Sequence, residues 1–166
     1  SYHHVAMLSL ENAEKRGRPD ITHFCLLEAL GTPLNKEGLL RVYIHTFDHK
    51  TIAVAPETRL PRNYDRFTSL IEQLYQTKRV PIDGKPLLTI QDETLKGLLG
   101  RLHPSQVVAL SVNGERSMVE KVVEPLVRLE NPVFLVGGFP RGHFTEDTVN
   151  LVDGIFCIDP EGLDAW

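Results

Sequence analysis

Three short apolar runs in the second half of the chain are each followed by turn residues. They are 106–112 before Asn113-Gly114, 133–136 before Gly137-Gly138, and 154–158 before Asp159-Pro160. Buried strands that alternate with helical segments are typical of α/β proteins with a mostly parallel sheet. Ligands of such proteins bind at the carboxyl ends of the strands, so the three loops are expected to converge on one small ligand.

The stretch Leu135 to Phe144, LVGGFPRGHF, carries the clearest of these loops. Its two glycines let the main chain approach a ligand closely, and Pro140 stops the backbone from continuing as a strand or helix. The alternative is a tight turn that merely needs glycine at one position. The pattern of three loops in series favours the ligand site.

The apolar periodicity of the rest of the chain predicts further helices and strands. We expect helices over 2–16, 21–30, 61–76, 92–102, 117–124 and 145–150, a hairpin of 39–47 with 51–55, a loop over 78–86, and a strand over 87–90. Asp20 stands just before the second helix, so its simplest role is that of a helix N-cap.

Composition indicates one globular domain of 166 residues, with 42% apolar and 24% charged residues. We find no signal peptide and no stretch long enough to span a membrane. Cys25 and Cys157 both lie in apolar runs, which favours buried thiols in a reducing compartment over a disulfide. The net charge of −4 does not by itself indicate nucleic-acid binding.

Several common catalytic signatures are missing from the sequence. It lacks the G-x-G-x-x-G dinucleotide fingerprint, the P-loop, the G-x-S-x-G nucleophile motif, and a histidine or cysteine spacing that indicates a metal. We therefore expect no metal cofactor.

The arginines offer a different chemistry. Arg59, Arg62 and Arg66 recur every three or four residues, and their guanidinium groups match the geometry of phosphates. Tyr64 among them offers a face on which an unpaired base could stack. The alternative is ordinary surface charge paired with Glu57 or Asp65.

Three motifs in order, RGRPDI (16–21), ETRLPRNYDRF (57–67) and LVGGFPRG (135–142), resemble the ribosome-biogenesis pseudouridine N1-methyltransferases. That family, here of archaeal type, belongs to the SPOUT superfamily of trefoil-knotted α/β proteins. The resemblance implies a single domain over 1–166, with an inserted hairpin and helix segment over about 35–90 facing RNA. The knotted, cofactor-binding part is then about 105–166. Relatives have further segments at both ends, so we expect the sequence to be part of a longer protein.

The resemblance also implies the ligands and their residues. The cofactor would be S-adenosylmethionine, giving S-adenosylhomocysteine, and the partners a hairpin loop of small-subunit ribosomal RNA and a second copy of the chain. The location would be cytoplasmic, or nucleolar in a eukaryote. The implied cofactor-binding residues are Leu110, Ser111, Gly137, Gly142, His143, Phe144, Ile158, Asp159, Pro160, Glu161, Gly162 and Leu163. The implied RNA-binding residues are Arg18, Arg59, Arg62 and Arg66.

Two roles are open for the acidic residue of the first motif. In our hypothesis, Asp20 orients Arg18, which binds the pseudouridine and favours its deprotonated form. In the alternative, Asp20 itself removes the proton. Two other classes of function also remain open: a non-catalytic assembly factor that binds ribosomal RNA, and an RNA- or nucleotide-binding module with an unrelated task.

Overall fold

The computed structural model describes residues 18–159, 161 and 165. The described chain forms two compact units, one of Arg18–Leu98 and the other of the described residues from Leu99 onward. The helix expected over 2–16 lies outside the described residues, and so does Arg16. No described helix is long and apolar enough to cross a membrane. The domain bounds given above stay a prediction.

Helices and strands alternate along both units. Their bounds are α1 Pro19–Gly31, α2 Pro33–Lys36, β1 Val42–His45, β2 Lys50–Val54, α3 Tyr64–Thr77, β3 Arg79–Val80, β4 Leu88–Asp92, α4 Leu95–Leu102, β5 Gln106–Arg116, α5 Val119–Leu126, β6 Pro132–Val136, α6 Glu146–Val149 and β7 Gly154–Cys157.

The first unit contains an antiparallel sheet in the strand order β1-β2-β4-β3. Strands β1 and β2 form the predicted hairpin, with Val42 opposite Val54. Alternate side chains of β2 and β4 enter the core, where they pack with α1 and α3. The buried members of this core are Leu26, Ile52, Val54, Phe67, Leu74, Leu88 and Ile90. The expected loop over 78–86 was partly wrong, because Arg79 and Val80 pair with β4.

Two helix starts in this unit differ from those expected. Helix α1 begins at Pro19, so Asp20 lies in its first turn and Arg18 occupies the N-cap position. The N-cap role for Asp20 is therefore wrong. Helix α3 begins at Tyr64 instead of residue 61, because the Asn63 side chain accepts a hydrogen bond from the Arg66 N–H at 3.0 Å. Arg62 consequently precedes the helix.

The second unit contains a parallel sheet in the order β6-β5-β7. This gives the chain the α/β fold with a parallel sheet that the strand pattern indicates. Helix α5 covers one face, where Val122 and Leu126 pack on Val108. Asp153 fixes the start of β7, since its carboxylate accepts from the Val107 N–H at 2.7 Å and its own N–H donates to the Val107 carbonyl at 2.8 Å.

Strand β5 continues through the turn expected at Asn113-Gly114. Leu110 and Glu115 both lie opposite Phe156 of β7, so residues 111–114 form an irregularity between two paired stretches. The turn prediction was wrong because pairing with β7 resumes at Glu115. Gly114 lies tightly against β7, and a Cβ atom there would be 2.6 Å from main-chain atoms of Ile155 and Phe156.

This contact predicts that Gly114→Ala destabilises the protein. The methyl group can be accommodated only if β5 and β7 separate, and overpacking of this kind costs about 1–3 kcal/mol. Gly100→Ala is the matched control, because a Cβ atom there meets nothing within 4 Å. It should be neutral or stabilising, since alanine favours the helix. Urea unfolding measures both variants, and equal stabilities would contradict the prediction.

Candidate active site

In the first unit, Arg18 and Asp20 form a two-pronged ion pair at the start of α1. Arg18 Nε donates to Asp20 Oδ1 at 2.8 Å and to Oδ2 at 3.0 Å, and Arg18 Nη2 donates to Oδ2 at 2.7 Å. Pro19 separates them, and Arg18 itself has φ −127° and ψ 59°, so the extended backbone typical of a residue before proline is not found here. The pair is accessible, with 49% of the Arg18 side chain and 30% of the Asp20 side chain exposed.

The pair changes the titration of Asp20. Hydrogen bonds from Arg18 lower the pKa of the Asp20 carboxyl below the ordinary value for aspartate, and they outweigh the burial that raises it. A carboxylate held ionised by an arginine is a good hydrogen-bond acceptor but a weak base. The geometry therefore fits an orienting role for Asp20 better than proton abstraction.

The arginine segment (residues 59–66) also belongs to the first unit. Arg59, Arg62 and Arg66 are exposed, and no ion pair within residues 18–159 includes any of them. Glu57 pairs instead with Lys85, at 2.5 Å. Pairing of these arginines with Glu57 or Asp65 is therefore not found, and the alternative of ordinary surface charge stays open.

A groove of about 380 Å³ borders this segment on the surface of α3. It is lined by Pro61, Asp65, Arg66, Ser69, Leu70 and Gln73. Tyr64, at the start of α3, is 39% exposed. Burial raises the pKa of the Tyr64 phenol, and the Asp20 charge adds to the rise. Tyr64 therefore lies within electrostatic range of Asp20, and an aromatic face is available near the Arg18–Asp20 pair.

His23, to which the sequence analysis assigned no role, connects α1 with the arginine segment. Its side chain is 2% exposed. Its Nε2 lies 2.7 Å from the Pro61 carbonyl oxygen, and its ring stacks on Phe67 with centroids 4.2 Å apart. The signal in the sequence was a polar residue at a buried position of an apolar helix.

In the second unit, the parallel register brings Leu110 of β5 level with residues near the carboxyl ends of β6 and β7. Leu110 of β5 lies opposite Val136 of β6 and Phe156 of β7. Gly137 directly follows Val136 and Ile158 lies two residues after Phe156, so the loops after β6 and β7 begin close to Leu110 along the chain of each partner strand. We call this the strand-end edge. Residues 111–114 of β5 leave the regular pairing just after Leu110, and the convergence of the three segments on one ligand stays a prediction.

The loop after β6 brings its main chain close to neighbouring aromatic rings. A Cβ atom at Gly137 would lie 2.8 Å from Phe139 Cζ, so a larger residue there would have to displace the Phe139 ring. Phe139 packs edge-on against Phe144 with ring centroids 5.7 Å apart. Gly142 has φ +88°, which strongly favours glycine. His143 is exposed beside it.

The remaining cofactor candidates lie in the irregular part of β5 and after β7. Ser111 Oγ accepts from the Asn113 N–H at 3.4 Å, and Asp159 Oδ1 accepts from the Glu161 N–H at 2.9 Å. Pro160, Gly162 and Leu163 lie outside the described residues. A cavity of about 490 Å³ includes Ile158 and Asp159, and its other lining residues are Glu115, Arg116, Ser117, Met118 and Lys121.

These features fit a nucleoside that is read by the main chain. Gly137, Gly138 and Gly142 in the loop after β6 place no side chain between the main chain and a ligand. Within the described residues, no group of three or more His, Cys, Asp or Glu side chains could hold a metal ion.

Comparison with known proteins identifies the family. The EMG1/NEP1 methyltransferase family matches residues 1–166. The chain belongs to this family. It is 42% identical to the ribosomal RNA small subunit methyltransferase Nep1 of Staphylothermus marinus, over 100% of this chain and 72% of the relative. It is 44% identical to the protein of the same name from Pyrococcus furiosus, over 100% of this chain and 73% of that one.

A solved structure shows the same fold. The crystal structure of Archaeoglobus fulgidus Nep1 bound to S-adenosylhomocysteine matches with a TM-score of 0.81 and 35% identity. The match covers 98% of this chain and 71% of that one. The methyltransferase inferred from the sequence motifs is thereby confirmed at the level of the family.

The ion pair predicts how Asp20 titrates. The Asp20 carboxyl should titrate below the ordinary aspartate value, and Arg18→Met should move its pKa up towards that value. Because the folded pKa is lowered, the pair stabilises the protein above the unfolded pKa, and this contribution is lost as the pH falls through the folded pKa. Solvent screening limits it to about 1 kcal/mol or less. NMR titration of the carboxyl carbon measures the shift, and an unchanged pKa in Arg18→Met would contradict the assignment.

Proposed function

We propose that this methyltransferase transfers a methyl group from S-adenosylmethionine to N1 of a pseudouridine in small-subunit ribosomal RNA, during assembly of the small ribosomal subunit. The observation that carries the proposal is the strand-end edge, where Leu110 lies opposite Val136 and Phe156 and the loops after β6 and β7 begin. Support for the cofactor comes from the Nep1 structure bound to S-adenosylhomocysteine. Support for the substrate comes from the names of the relatives.

In this proposal the second unit has the SPOUT trefoil knot and holds the cofactor. The residues we assign to it are Leu110, Ser111, Gly137, Gly142, His143, Phe144, Ile158, Asp159, Pro160, Glu161, Gly162 and Leu163. Main-chain N–H and C=O groups of these loops would bind adenine and ribose. S-adenosylmethionine supplies a methyl group bonded to a sulfonium sulfur. The neutral thioether of S-adenosylhomocysteine is a good leaving group.

The first unit binds and orients the RNA. Arg59, Arg62 and Arg66 contact phosphates, and the Tyr64 ring provides a stacking surface for a base turned out of its hairpin loop. Arg18, held by Asp20, binds the pseudouridine and stabilises the negative charge left when N1 loses its proton. Positioning of this kind can contribute several kcal/mol, on the order of 7–11 in favourable intramolecular cases. We further propose that the enzyme acts as a homodimer. A cytoplasmic location stays a prediction.

Cofactor binding should depend on the conformation of the loop after β6. Gly142→Ala should weaken S-adenosylhomocysteine binding at least about fivefold, because alanine at φ +88° costs about 1 kcal/mol or more. Gly84→Ala is the matched control, since Gly84 has φ +81° but lies in the first unit. Calorimetry measures both affinities. No binding by the unmodified protein would refute the cofactor assignment.

RNA affinity should fall steeply with salt and depend on the arginine segment. Each phosphate contact to a single strand contributes about −0.7 to the slope of log K against log salt. Arg62→Gln and Arg66→Gln should each reduce the steepness by about that amount. Arg128→Gln, a change two residues after α5 at a side chain that is 79% exposed, should leave the slope unchanged. A salt-independent affinity of the unmodified protein would contradict the assignment.

The two roles open for Asp20 predict different turnover. Asp20→Asn should retain turnover within about tenfold, because the amide oxygen still accepts a hydrogen bond from Arg18. Loss of a true general base should cost about 10²–10⁴-fold. Asp65→Asn, in the first turn of α3, is the control for a lost surface carboxylate. Single-turnover rates decide between the roles, and a loss beyond about 10²-fold would make Asp20 the base.

A further inference from the structure

His23 is a buried polar residue whose hydrogen bond joins two functional segments. It is almost fully enclosed, at 2% exposure, between Ile21 and Leu26 on the buried side of α1. A buried imidazole is costly unless its nitrogens are bonded. The Nε2 lies 2.7 Å from the Pro61 carbonyl oxygen, which can only accept, so Nε2 must carry the proton.

Pro61 lies within the arginine segment, between Arg59 and Arg62. The segment is fixed again two residues later, where the Asn63 side chain accepts from the Arg66 N–H at 3.0 Å. Arg62 therefore lies between two fixed points. The first of these points is supplied by a side chain of α1 and the second by the segment itself.

The His23 ring makes a second contact with the same region. It stacks on Phe67 with an interplanar angle of 14° and centroids 4.2 Å apart. Phe67 belongs to α3 and is 1% exposed. The stack restricts the plane of the His23 ring, and in this plane the Nε2–H points at the Pro61 carbonyl. His23 thus holds both the end of the loop and the first turn of α3.

On the other side, His23 is close to the Arg18–Asp20 pair along α1. His23 lies three positions after Asp20, which is about one helical turn, or about 4.5 Å of rise. A helix is stiff over one turn. The distance between the ion pair and the arginine segment is therefore set by helix α1 and by the hydrogen bond from His23 to the Pro61 carbonyl.

We propose that His23 is a positioning residue for the methyl transfer. Its bond to the Pro61 carbonyl sets the spacing between Arg18, which binds the pseudouridine, and Arg62, which holds the RNA phosphates. This inference rests on the proposed function. It adds a buried residue that contacts neither the RNA nor the cofactor and that acts by holding Arg62 at a fixed distance from Arg18.

His23→Phe removes the hydrogen bond and keeps an aromatic ring against Phe67. The kcat/KM for a pseudouridine hairpin should fall at least about tenfold, because displacement of reacting groups by about 1 Å can cost about 10²-fold. The affinity for S-adenosylhomocysteine should not change, since its candidate residues lie in the second unit. His23→Gln should recover part of the activity, because its amide can donate to the Pro61 carbonyl.

Leu26→Ala is the control for a merely structural role. Leu26 lies one turn further along α1, is 3% exposed, and has no group that can bond Pro61. Its loss should lower the melting temperature at least as much as His23→Phe and leave kcat/KM within about twofold. The proposal is overturned if His23→Phe keeps normal kcat/KM, if His23→Gln recovers nothing, or if Leu26→Ala loses as much activity.

Amide hydrogen exchange separates this inference from the proposed function. Residues 59–66 should exchange faster in His23→Phe than in the unmodified protein and in Leu26→Ala. If the unmodified protein transfers no methyl group to RNA, the proposed function fails, and the exchange rates still decide whether His23 holds the segment. Equal exchange in the three proteins would overturn the inference.

Discussion

Main-chain polar groups of a loop can be buried only when they are hydrogen-bonded, and a few polar side chains meet this requirement here. His23 binds the Pro61 carbonyl at 2.7 Å, and Asn35 Nδ2 donates to the Pro56 carbonyl at 2.9 Å. In the second unit, Asp153 accepts from the Val107 N–H at 2.7 Å. Each of these bonds joins segments far apart in the sequence. The first two bonds hold the chain on either side of Arg59, and the third aligns the starts of β5 and β7.

The two units present different groups to a ligand. In the first, fixed loops leave long cationic side chains exposed, where they can follow a phosphate backbone. In the second, parallel pairing brings Leu110, Val136 and Phe156 to one level, and Gly137 and Gly138 directly follow Val136. Side-chain recognition suits a polyanion, and main-chain recognition suits a small nucleoside. Recognition by side chains leaves a pattern of residue types in the sequence, and recognition by the main chain does not. The arginine segment is therefore conspicuous in the sequence, and most of the cofactor candidates are not.

Local patterns predicted the elements well, because apolar periodicity reflects which face of each element is buried. The hairpin, the three parallel strands and the helices α1 and α3 all follow from it. The failures came where a long-range contact decided the outcome. Asn113-Gly114 is a strong turn signal, yet β5 pairs again with β7 beyond it. Asp20 has a side chain that often caps helices, but Arg18 occupies the N-cap position and forms an ion pair with Asp20.

The candidate site was predicted unevenly for the same reason. Arg18 and Asp20 are two residues apart, so their pairing follows from the local motif. The role of His23 depends on Pro61, 38 residues away, and no local pattern indicates that contact. The residues assigned to cofactor and RNA came from the family resemblance. The structure adds their surroundings, and their roles remain proposals.

The most direct test of the account is methyl transfer from tritiated S-adenosylmethionine to two matched RNA hairpins. One hairpin carries pseudouridine in its loop and the other carries uridine at the same position. Transfer should occur only to the first, because N1 of uridine is bonded to ribose and has no proton to lose. Equal incorporation into both hairpins, or none into either, would contradict the account.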